Sequence, residues 1–346
     1  MGLPVIAQDA TAPRLAPSRI LSVIRRQPRK DLRGSMSKEL GWPVRVFDTR
    51  RCELGEGPLW DDANDRVLWV DILNSRVLWR TLTSDGPGSF QCPRHVGAVL
   101  PLDDGRWLLC LRDGLYTTDL ASGKLTEVAA FPHSPECNVN RPHRLRANDA
   151  KVSPRGVAYL GTMAYDPEGD AGSAALYVLD AGQLKTVLTG VTISNGMGWS
   201  PDGAIMYYID SPTGRIDRCW GDGLKTPLRR EPFIAVDPRI GVPDGMCVDA
   251  DGYLWVAIWG GGCVMRFAPD GSSAGRISLP CPQVTSCAFA GPDLRTLVIT
   301  TAAEGLPSDP GSSEPGLGMT YAVQAQVAGQ VQPRIRTEHI KPKRDS

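Results

Sequence analysis

The sequence has no excess of charge and no long apolar run, and each lack argues against a class of partner. Its 38 basic and 38 acidic residues give a formal net charge of zero. Nucleic acids and anionic membranes attract basic proteins, so bulk electrostatics gives no reason to expect either partner. No apolar run approaches the roughly 20 residues that span a bilayer. We therefore expect a globular protein with no nucleic-acid or membrane partner.

Paired cysteine motifs are also missing. The nine cysteines are scattered, and none has C-x-x-C or zinc-finger spacing. We expect each to be a small buried apolar residue in a reducing compartment, which predicts a cytoplasmic protein, although one disulfide stays open as an alternative. The chain also lacks a G-x-S-x-G nucleophile motif and a P-loop. No segment shows sustained helical periodicity with helix caps, which excludes most α/β enzyme folds.

The first 40 residues differ in composition from the rest of the chain. They contain several Arg and Pro and few aromatic residues, and their basic cluster at residues 25–33 follows the short apolar stretch at 3–7. A secretory signal has the opposite order, with the basic residues first. We predict a flexible N-terminal extension over 1–40, a main domain over 41–335 and a C-terminal tail over 336–346. A cleaved targeting segment at the N-terminus is the alternative.

One phrase recurs through the main domain. Residues 193–203 read ISNGMGWSPDG and residues 242–252 read VPDGMCVDADG. Both place an amide or acid before Gly-Met, and both have a turn glycine eight positions later. Four less regular copies share this layout at intervals of roughly 40–50 residues, the period of a propeller blade. The six copies start at Glu56, Gly97, Asn148, Asn195, Asp244 and Ser286.

Each copy contains several short β-strands separated by turn residues. A short apolar strand leads into an Asp/Pro/Gly turn, and a second strand such as RVLWVDI or YLWVAIW follows. About four strands per repeat predict an all-β fold, a six-bladed β-propeller. We expect VRVFD (residues 44–48) to complete the last blade beside GMTYAV (residues 318–323). A β-sandwich is the competing all-β fold, but it gives no reason for six copies.

The repeat starts predict a central metal site. The innermost strand of each propeller blade lines the channel, so equivalent positions form a ring around one axis. Glu56, Asn148, Asn195 and Asp244 would bring four oxygen-bearing side chains to that ring, and such ligands suit a hard divalent cation. The alternative is that Asn and Asp simply fit turns. That alternative is weakest for Glu56, since an unpaired carboxylate among apolar residues is costly to bury.

A candidate substrate group lies next to one ring position. Arg146 precedes Asn148 by two residues, so an extended backbone would place both side chains on the same edge. A guanidinium there could bind substrate hydroxyls or a product carboxylate. The alternative is an ordinary surface arginine. His143 lies near the same segment and is a weaker candidate for the channel mouth.

Four motifs in order resemble a known family. LGEGPLW, NDAKVSPRG…GTM, SNGMGWSPDG…YYIDS and PDGMCVDADGYLWVA are similar to the SMP-30/gluconolactonase/LRE-like family between residues 54 and 322. The resemblance implies a six-bladed propeller with one divalent metal in its channel. It implies metal ligands at Glu56, Asn195 and Asp244 and substrate-binding residues at Arg146 and Asn148. An acidic residue after GTM in some members corresponds weakly to Asp166.

The resemblance implies hydrolysis of a sugar lactone, such as glucono-, arabinono- or xylonolactone, to its aldonic acid. Ca²⁺, Mn²⁺, Zn²⁺, Mg²⁺ or Fe²⁺ could serve as the metal, with Asp244 as general base as well as ligand. Two alternatives stay open. One is another metal-dependent ester or organophosphate hydrolase on the same fold, and the other is a metal-binding propeller without catalysis. A monomer is the expected state.

Overall fold

The computed structural model describes residues 37–83, 86–132, 144–225, 228–306 and 316–341. Over these ranges the chain forms 24 β-strands and two short 3-10 helices, at Ser211–Thr213 and Thr337–His339. The strands form six antiparallel sheets of four strands each. The predicted all-β fold with six blades is therefore confirmed. Most of the predicted N-terminal extension (residues 1–36) and His143 lie outside the described residues.

The first strand, β1 (Val44–Asp48), belongs to the last blade. The other strands follow the chain, and the first strand of each blade lies innermost. Blade 1 contains β2 (Gly55–Asp61), β3 (Arg66–Asp71), β4 (Arg76–Thr81) and β5 (Gly88–Gln91). Blade 2 contains β6 (Val96–Pro101), β7 (Trp107–Leu111), β8 (Gly114–Thr118) and β9 (Thr126–Ala130). Blade 3 contains β10 (Leu145–Val152), β11 (Ala158–Ala164), β12 (Ala174–Asp180) and β13 (Gln183–Val191).

The remaining blades repeat this order. Blade 4 contains β14 (Ser194–Trp199), β15 (Met206–Asp210), β16 (Arg215–Trp220) and β17 (Arg229–Ala235). Blade 5 contains β18 (Val242–Val248), β19 (Leu254–Trp259), β20 (Cys263–Phe267) and β21 (Ser273–Ser278). Blade 6 contains β22 (Val284–Ala290), β23 (Thr296–Thr301) and β24 (Thr320–Gln324), with β1 as its outer strand. The innermost strands of neighbouring blades contact one another all the way round the ring.

The ring closes through the pairing of β1 with β24. Val44 lies opposite Val323 and Val46 lies opposite Tyr321, in antiparallel register. An N-terminal strand thus completes a blade whose other three strands come from the C-terminal end. This confirms the expected partnership of residues 44–48 with the segment around 318–323, and it leaves the last blade as complete as the others.

The hydrophobic core lies between the blades. On β3, Leu68 and Val70 pack into the cluster shared with blade 2, whereas Val67 and Trp69 pack into the cluster shared with blade 6. Because alternate side chains of a strand point to opposite faces, a strand buried on both faces has to be apolar throughout. This explains why the second strand of each repeat reads as a continuous apolar run.

The repeated turn residue has a left-handed backbone. Gly105, Gly156, Gly203 and Gly252 all have φ between +70° and +86°, a region that glycine enters without steric cost. In blade 6 the same position is Leu294, eight residues after Ser286, and its φ is +53°. The shared backbone conformation supports the assignment of Ser286 as the sixth repeat start.

The C-terminal segment after β24 lies across the turn end of the ring. Backbone hydrogen bonds join it to several blades. The oxygen of Ala328 accepts from Ala250 N, and Arg336 N donates to the oxygen of Gly156. Ile335 donates to the oxygen of Pro101 and accepts from Asp103 N. Ile335 is fully buried in the cluster between blades 2 and 3. Residues 336–341 continue on the same surface, because His339 O accepts from Gly182 N at 2.8 Å. The bounds of the main domain, residues 41–335, stay a prediction.

Cysteine side chains are part of the buried interior. The eight cysteines of the described residues are buried and free. Cys247 and Cys287 lie closest, with 3.6 Å between their sulfur atoms. No helix in the described part of the chain is long and apolar enough to cross a membrane.

Candidate active site

A β-bulge occurs at the repeat start in every innermost strand. At that point the register with the second strand shifts by one residue. The shifts lie between Glu56 and Leu59, Val96 and Ala98, Ala147 and Ala150, Ser194 and Met197, Pro243 and Met246, and Val284 and Ser286. A bulge leaves one residue unpaired and changes the direction of its side chain. The six bulges therefore mark one level of the channel, where the predicted ligands lie.

Two carboxylates from blades that are not adjacent lie at this level. Glu56 belongs to blade 1 and Asp244 to blade 5, and the charge of Glu56 acts on Asp244. Blade 6 lies between these two blades in the ring. Glu56 and Asp244 are only 7% and 6% exposed. Burial, together with the nearby carboxylates, raises the pKa of both groups.

Asp149, a third buried acid, and Arg146, a cation, belong to the same charged set. Asp149, directly after Asn148, is the acid whose charge most affects Glu56, and burial raises its own pKa. Arg146 is 5% exposed and interacts electrostatically with Glu56, Asp244 and Glu304. The cation thus balances part of a negative charge that would otherwise be costly to bury. Sequence reasoning missed Asp149, whose only signal is its place beside a ring residue.

Hydrogen bonds orient the side-chain amides of Asn148 and Asn195. Arg146 donates to Asn148 Oδ1 at 2.6 Å, and Asn148 Nδ2 donates to Asn195 Oδ1 at 2.8 Å. Asn195 Nδ2 donates to Ser211 Oγ at 2.8 Å, and that hydroxyl donates to the carbonyl oxygen of Pro243. Because a carbonyl only accepts, the single Ser211 proton is used there, and Asn195 has to donate to Ser211. The Asn195 oxygen is therefore turned away from Ser211, toward Asn148.

The residues present fit a hard divalent cation. Asp244 Oδ1 is buried and has no hydrogen-bond partner among the residues that the structure describes. An unpaired buried carboxylate oxygen is costly, and a cation would remove that cost. Two carboxylates with an oriented amide oxygen are the donors that such an ion prefers. No group of three His, Cys, Asp or Glu side chains with metal-site geometry occurs in the described ranges, so the fit depends on amide oxygens.

The two other predicted substrate-binding residues, Asn148 and Asp166, differ in their surroundings. Both polar groups of Asn148 are bonded within the protein, to Arg146, Ser194 and Asn195. Asp166 is exposed, and its Oδ1 accepts from Gly169 N at 3.1 Å in its own turn. The structure thus brings Arg146, Asn148, Glu56, Asn195 and Asp244 together, whereas the recorded contacts of Asp166 are local.

Two side chains beside Arg146 were not found from the sequence. His95 Nδ1 lies 2.7 Å from the Tyr165 hydroxyl. The charges of Arg146 and Arg112 act on both residues. The available signal was that His95 precedes the repeat start Gly97 by two residues, as Arg146 precedes Asn148.

Comparison with known proteins agrees with this architecture. The family model of the SMP-30/gluconolactonase/LRE-like region matches residues 54–303. The chain belongs to the SMP-30/gluconolactonase/LRE-like family. The match begins just before β2 and ends after β23, so it covers all six bulged innermost strands. The resemblance inferred from the four motifs is thereby confirmed.

Individual relatives of the family include lactonases and regucalcins. The pentonolactonase of Haloferax volcanii is 35% identical over 75% of this chain and 84% of its own length. The regucalcin of Danio rerio is 34% identical over 78% of this chain and 90% of its own. A crystal structure of a calcium-binding regucalcin from Agrobacterium tumefaciens superposes with a TM-score of 0.79 at 30% identity, covering 88% of this chain and all of that one. This SMP-30/gluconolactonase/LRE-like protein thus shares its fold with a metal-binding relative.

Proposed function

We propose that this chain is a metal-dependent sugar lactonase that hydrolyses an aldonolactone to its aldonic acid. The observation that carries the proposal is the pair of buried carboxylates, Glu56 and Asp244, which interact electrostatically, with Asp244 Oδ1 unpartnered among the described residues. Arg146 and the hydrogen-bonded amides of Asn148 and Asn195 add further polar groups beside them. A lactonase name among the relatives supports the reaction class.

Glu56, Asp244 and Asn195 would hold the proposed cation. Their two negative charges and one neutral oxygen match the charge of a divalent ion. When bound, such an ion supplies Lewis-acid polarisation of an ester carbonyl and acidifies water. Ca²⁺, Mn²⁺, Zn²⁺, Mg²⁺ and Fe²⁺ all accept this donor set to some degree.

Asp244 is the proposed general base. Hydrolysis requires water to lose a proton as it adds to the lactone carbonyl, and the buried Asp244 carboxylate is the group that accepts it in this proposal. Arg146 has two tasks in this scheme. It holds the Asn148 amide, and hence the orientation of Asn195, and its positive charge opposes the negative charge that develops on the carbonyl oxygen.

The polar wall of the channel favours a polyhydroxylated substrate. Arg146, Asn148 and Asn195 surround the carboxylates with hydrogen-bonding groups. An aryl ester or an organophosphate would instead need apolar surface to replace water around its ring. We therefore infer a sugar lactone as the substrate class.

The test uses metal-stripped protein. Acid release from gluconolactone, arabinonolactone and xylonolactone is followed with and without each of the five cations, after subtraction of spontaneous hydrolysis. We expect metal-dependent turnover that is lost in Glu56→Gln and Asp244→Asn. Asp251→Asn, an exposed acid of the same blade, is the matched control and should keep full activity. Metal binding without turnover of any lactone would contradict the proposal and favour an ester or phosphotriester substrate, or a binding role.

A further inference from the structure

One position of the repeat is polar in only two blades. Two residues before the repeat start, blades 2 and 3 carry His95 and Arg146. At this position the other four blades carry only apolar residues: Leu54, Ile193, Val242 and Val284. The innermost strands form a ring in the order of the blades, so the two polar residues are neighbours. The hydrogen-bonding groups of His95 and Arg146 therefore lie on adjacent blades, and the charge of Arg146 acts on His95.

Blades 2 and 3 are packed tightly where these residues lie. A Cβ atom on Gly97 would lie 2.5 Å from the backbone oxygen of Asn148, so only glycine fits. The backbone of His95 accepts from Arg112 N at 2.8 Å, and Tyr165 N donates to Arg144 O at 2.9 Å. Both backbones are therefore fixed, and the 2.7 Å contact between the His95 ring and the Tyr165 hydroxyl is part of a rigid wall.

The surroundings of His95 define which ring nitrogen carries the proton. Burial and the charges of Arg146 and Arg112 lower the pKa of His95 to about 4, so the ring is neutral near pH 7. The Arg112 guanidinium interacts with the Tyr165 hydroxyl and can only donate to it. A Tyr165 hydroxyl that accepts from Arg112 directs its own proton to Nδ1 of His95. In that arrangement the ring proton lies on Nε2, for which no hydrogen-bond partner occurs within the described part of the chain.

We propose that His95, held by Tyr165, is a specificity-determining residue whose Nε2–H donates to a hydroxyl oxygen of the lactone. This inference rests on the proposed lactonase function and deepens it. A buried donor discriminates because a substrate without the matching oxygen leaves that donor unpaired. The hydroxyl-bearing part of the lactone therefore faces blades 2 and 3, and its carbonyl faces Glu56 and Asp244.

The discriminating experiment compares two six-membered lactones on the metal-loaded protein. Gluconolactone carries hydroxyls, and δ-valerolactone has the same ring without them. We expect His95→Ala to lower kcat/KM for gluconolactone about tenfold or more, mainly through KM, and for δ-valerolactone by less than about twofold. His95→Gln keeps an N–H donor at similar reach and should restore most of the loss.

Tyr165→Phe removes the hydroxyl that holds the His95 ring. It should lower kcat/KM for gluconolactone relative to δ-valerolactone, by a smaller factor than His95→Ala. His339→Ala is the matched control. It removes another half-buried histidine, at the turn end of blade 3 beside Asp180, and should leave both lactones unaffected. Equal losses on the two lactones in His95→Ala would indicate a structural role and overturn the inference. Unchanged kinetics would also overturn it.

A binding measurement separates this inference from the proposed function. Gluconate, the product, is titrated calorimetrically into metal-loaded wild type and His95→Ala. If wild type hydrolyses no lactone but binds gluconate, and His95→Ala weakens that binding about tenfold, the lactonase proposal fails and the hydroxyl-binding role is supported. If wild type does not bind gluconate, or if His95→Ala binds it equally well, the role of His95 is contradicted.

Discussion

The side-chain amides of Asn148 and Asn195 are joined by a 2.8 Å hydrogen bond across the boundary between blades 3 and 4. The bond continues on one side to Arg146 and on the other to Ser211. A ligand for the proposed cation is thus oriented by three other side chains rather than by its own strand alone. Such supporting hydrogen bonds commonly decide metal affinity, and the first prediction follows from them.

Ser211→Ala should weaken metal binding about tenfold or more, because it leaves Asn195 Nδ2 without its acceptor and frees the amide to rotate. Calorimetric titration of the stripped protein with Ca²⁺ or Mn²⁺ measures the change. Ser200→Ala is the control, since Ser200 lies in the turn at the other end of blade 4 and bonds to Asp202. A metal affinity equal to wild type in Ser211→Ala would contradict the orienting role.

Asp244→Asn should separate stability from activity. We expect kcat to fall by about 10³-fold, since the general base is lost. The metal-free variant should unfold at the same temperature as metal-free wild type or higher, because one of two repelling buried carboxylates becomes neutral. Added metal should raise the melting temperature of wild type and not of the variant. A thermal melt with and without metal checks both statements, and a metal-free variant that melts well below wild type would argue against the repulsion.

His95 should make the protein less stable in acid. Its folded pKa of about 4 lies below the ordinary value of 6.5, so the unfolded chain binds more protons between these values. Stability linked to His95 is therefore complete above about pH 6.5 and is lost as pH falls toward 4. His95→Gln should flatten this part of the profile. Melting temperatures of the two proteins from pH 7 to 4.5 measure the difference, and parallel profiles would show that His95 takes up a proton equally in both states.

Gly245→Ala should destabilise the fold more than an ordinary glycine substitution. A Cβ there would lie 2.5 Å from Ser286 Cβ and 2.8 Å from the backbone oxygen of Thr285, which forces blades 5 and 6 apart beside Asp244. We expect a loss of about 3 kcal/mol in the free energy of unfolding. Gly105→Ala is the comparison. The backbone of Gly105 is left-handed, unlike that of Gly245, but no atom lies within 4 Å of the added carbon, so a loss of about 1 kcal/mol is expected. Urea denaturation measures both, and equal losses would show that the approach of the blades is not limiting.

The repeat made much of the fold predictable. The sixfold phrase and its turn residues indicated six blades, and residues 44–48 were expected to close the ring, as they do. These features depend on local patterns, namely the residue pattern of the strands and the left-handed backbone of the turns. Each pattern can be recognised in a short stretch of sequence. The family resemblance inferred between residues 54 and 322, which the family model matches over 54–303, was visible for the same reason.

The candidate site was only partly predictable. Register alone brought Glu56, Asn148, Asn195 and Asp244 to one level, since equivalent positions of a ring have to converge. It could not show that the Asn148 amide is occupied by Arg146 and Asn195. Nor could a motif show that Asp166 bonds within its own turn.

The sequence by itself determined the periodic features of this protein: six blades, the strand that closes them and the level at which acids and amides meet. Only the tertiary structure decided which side chains touch. His95 and Tyr165 are 70 residues apart along the chain and belong to different blades, yet they share a hydrogen bond. Such a pair depends on how two sheets pack against each other, and packing follows from the sum of many contacts rather than from any one segment.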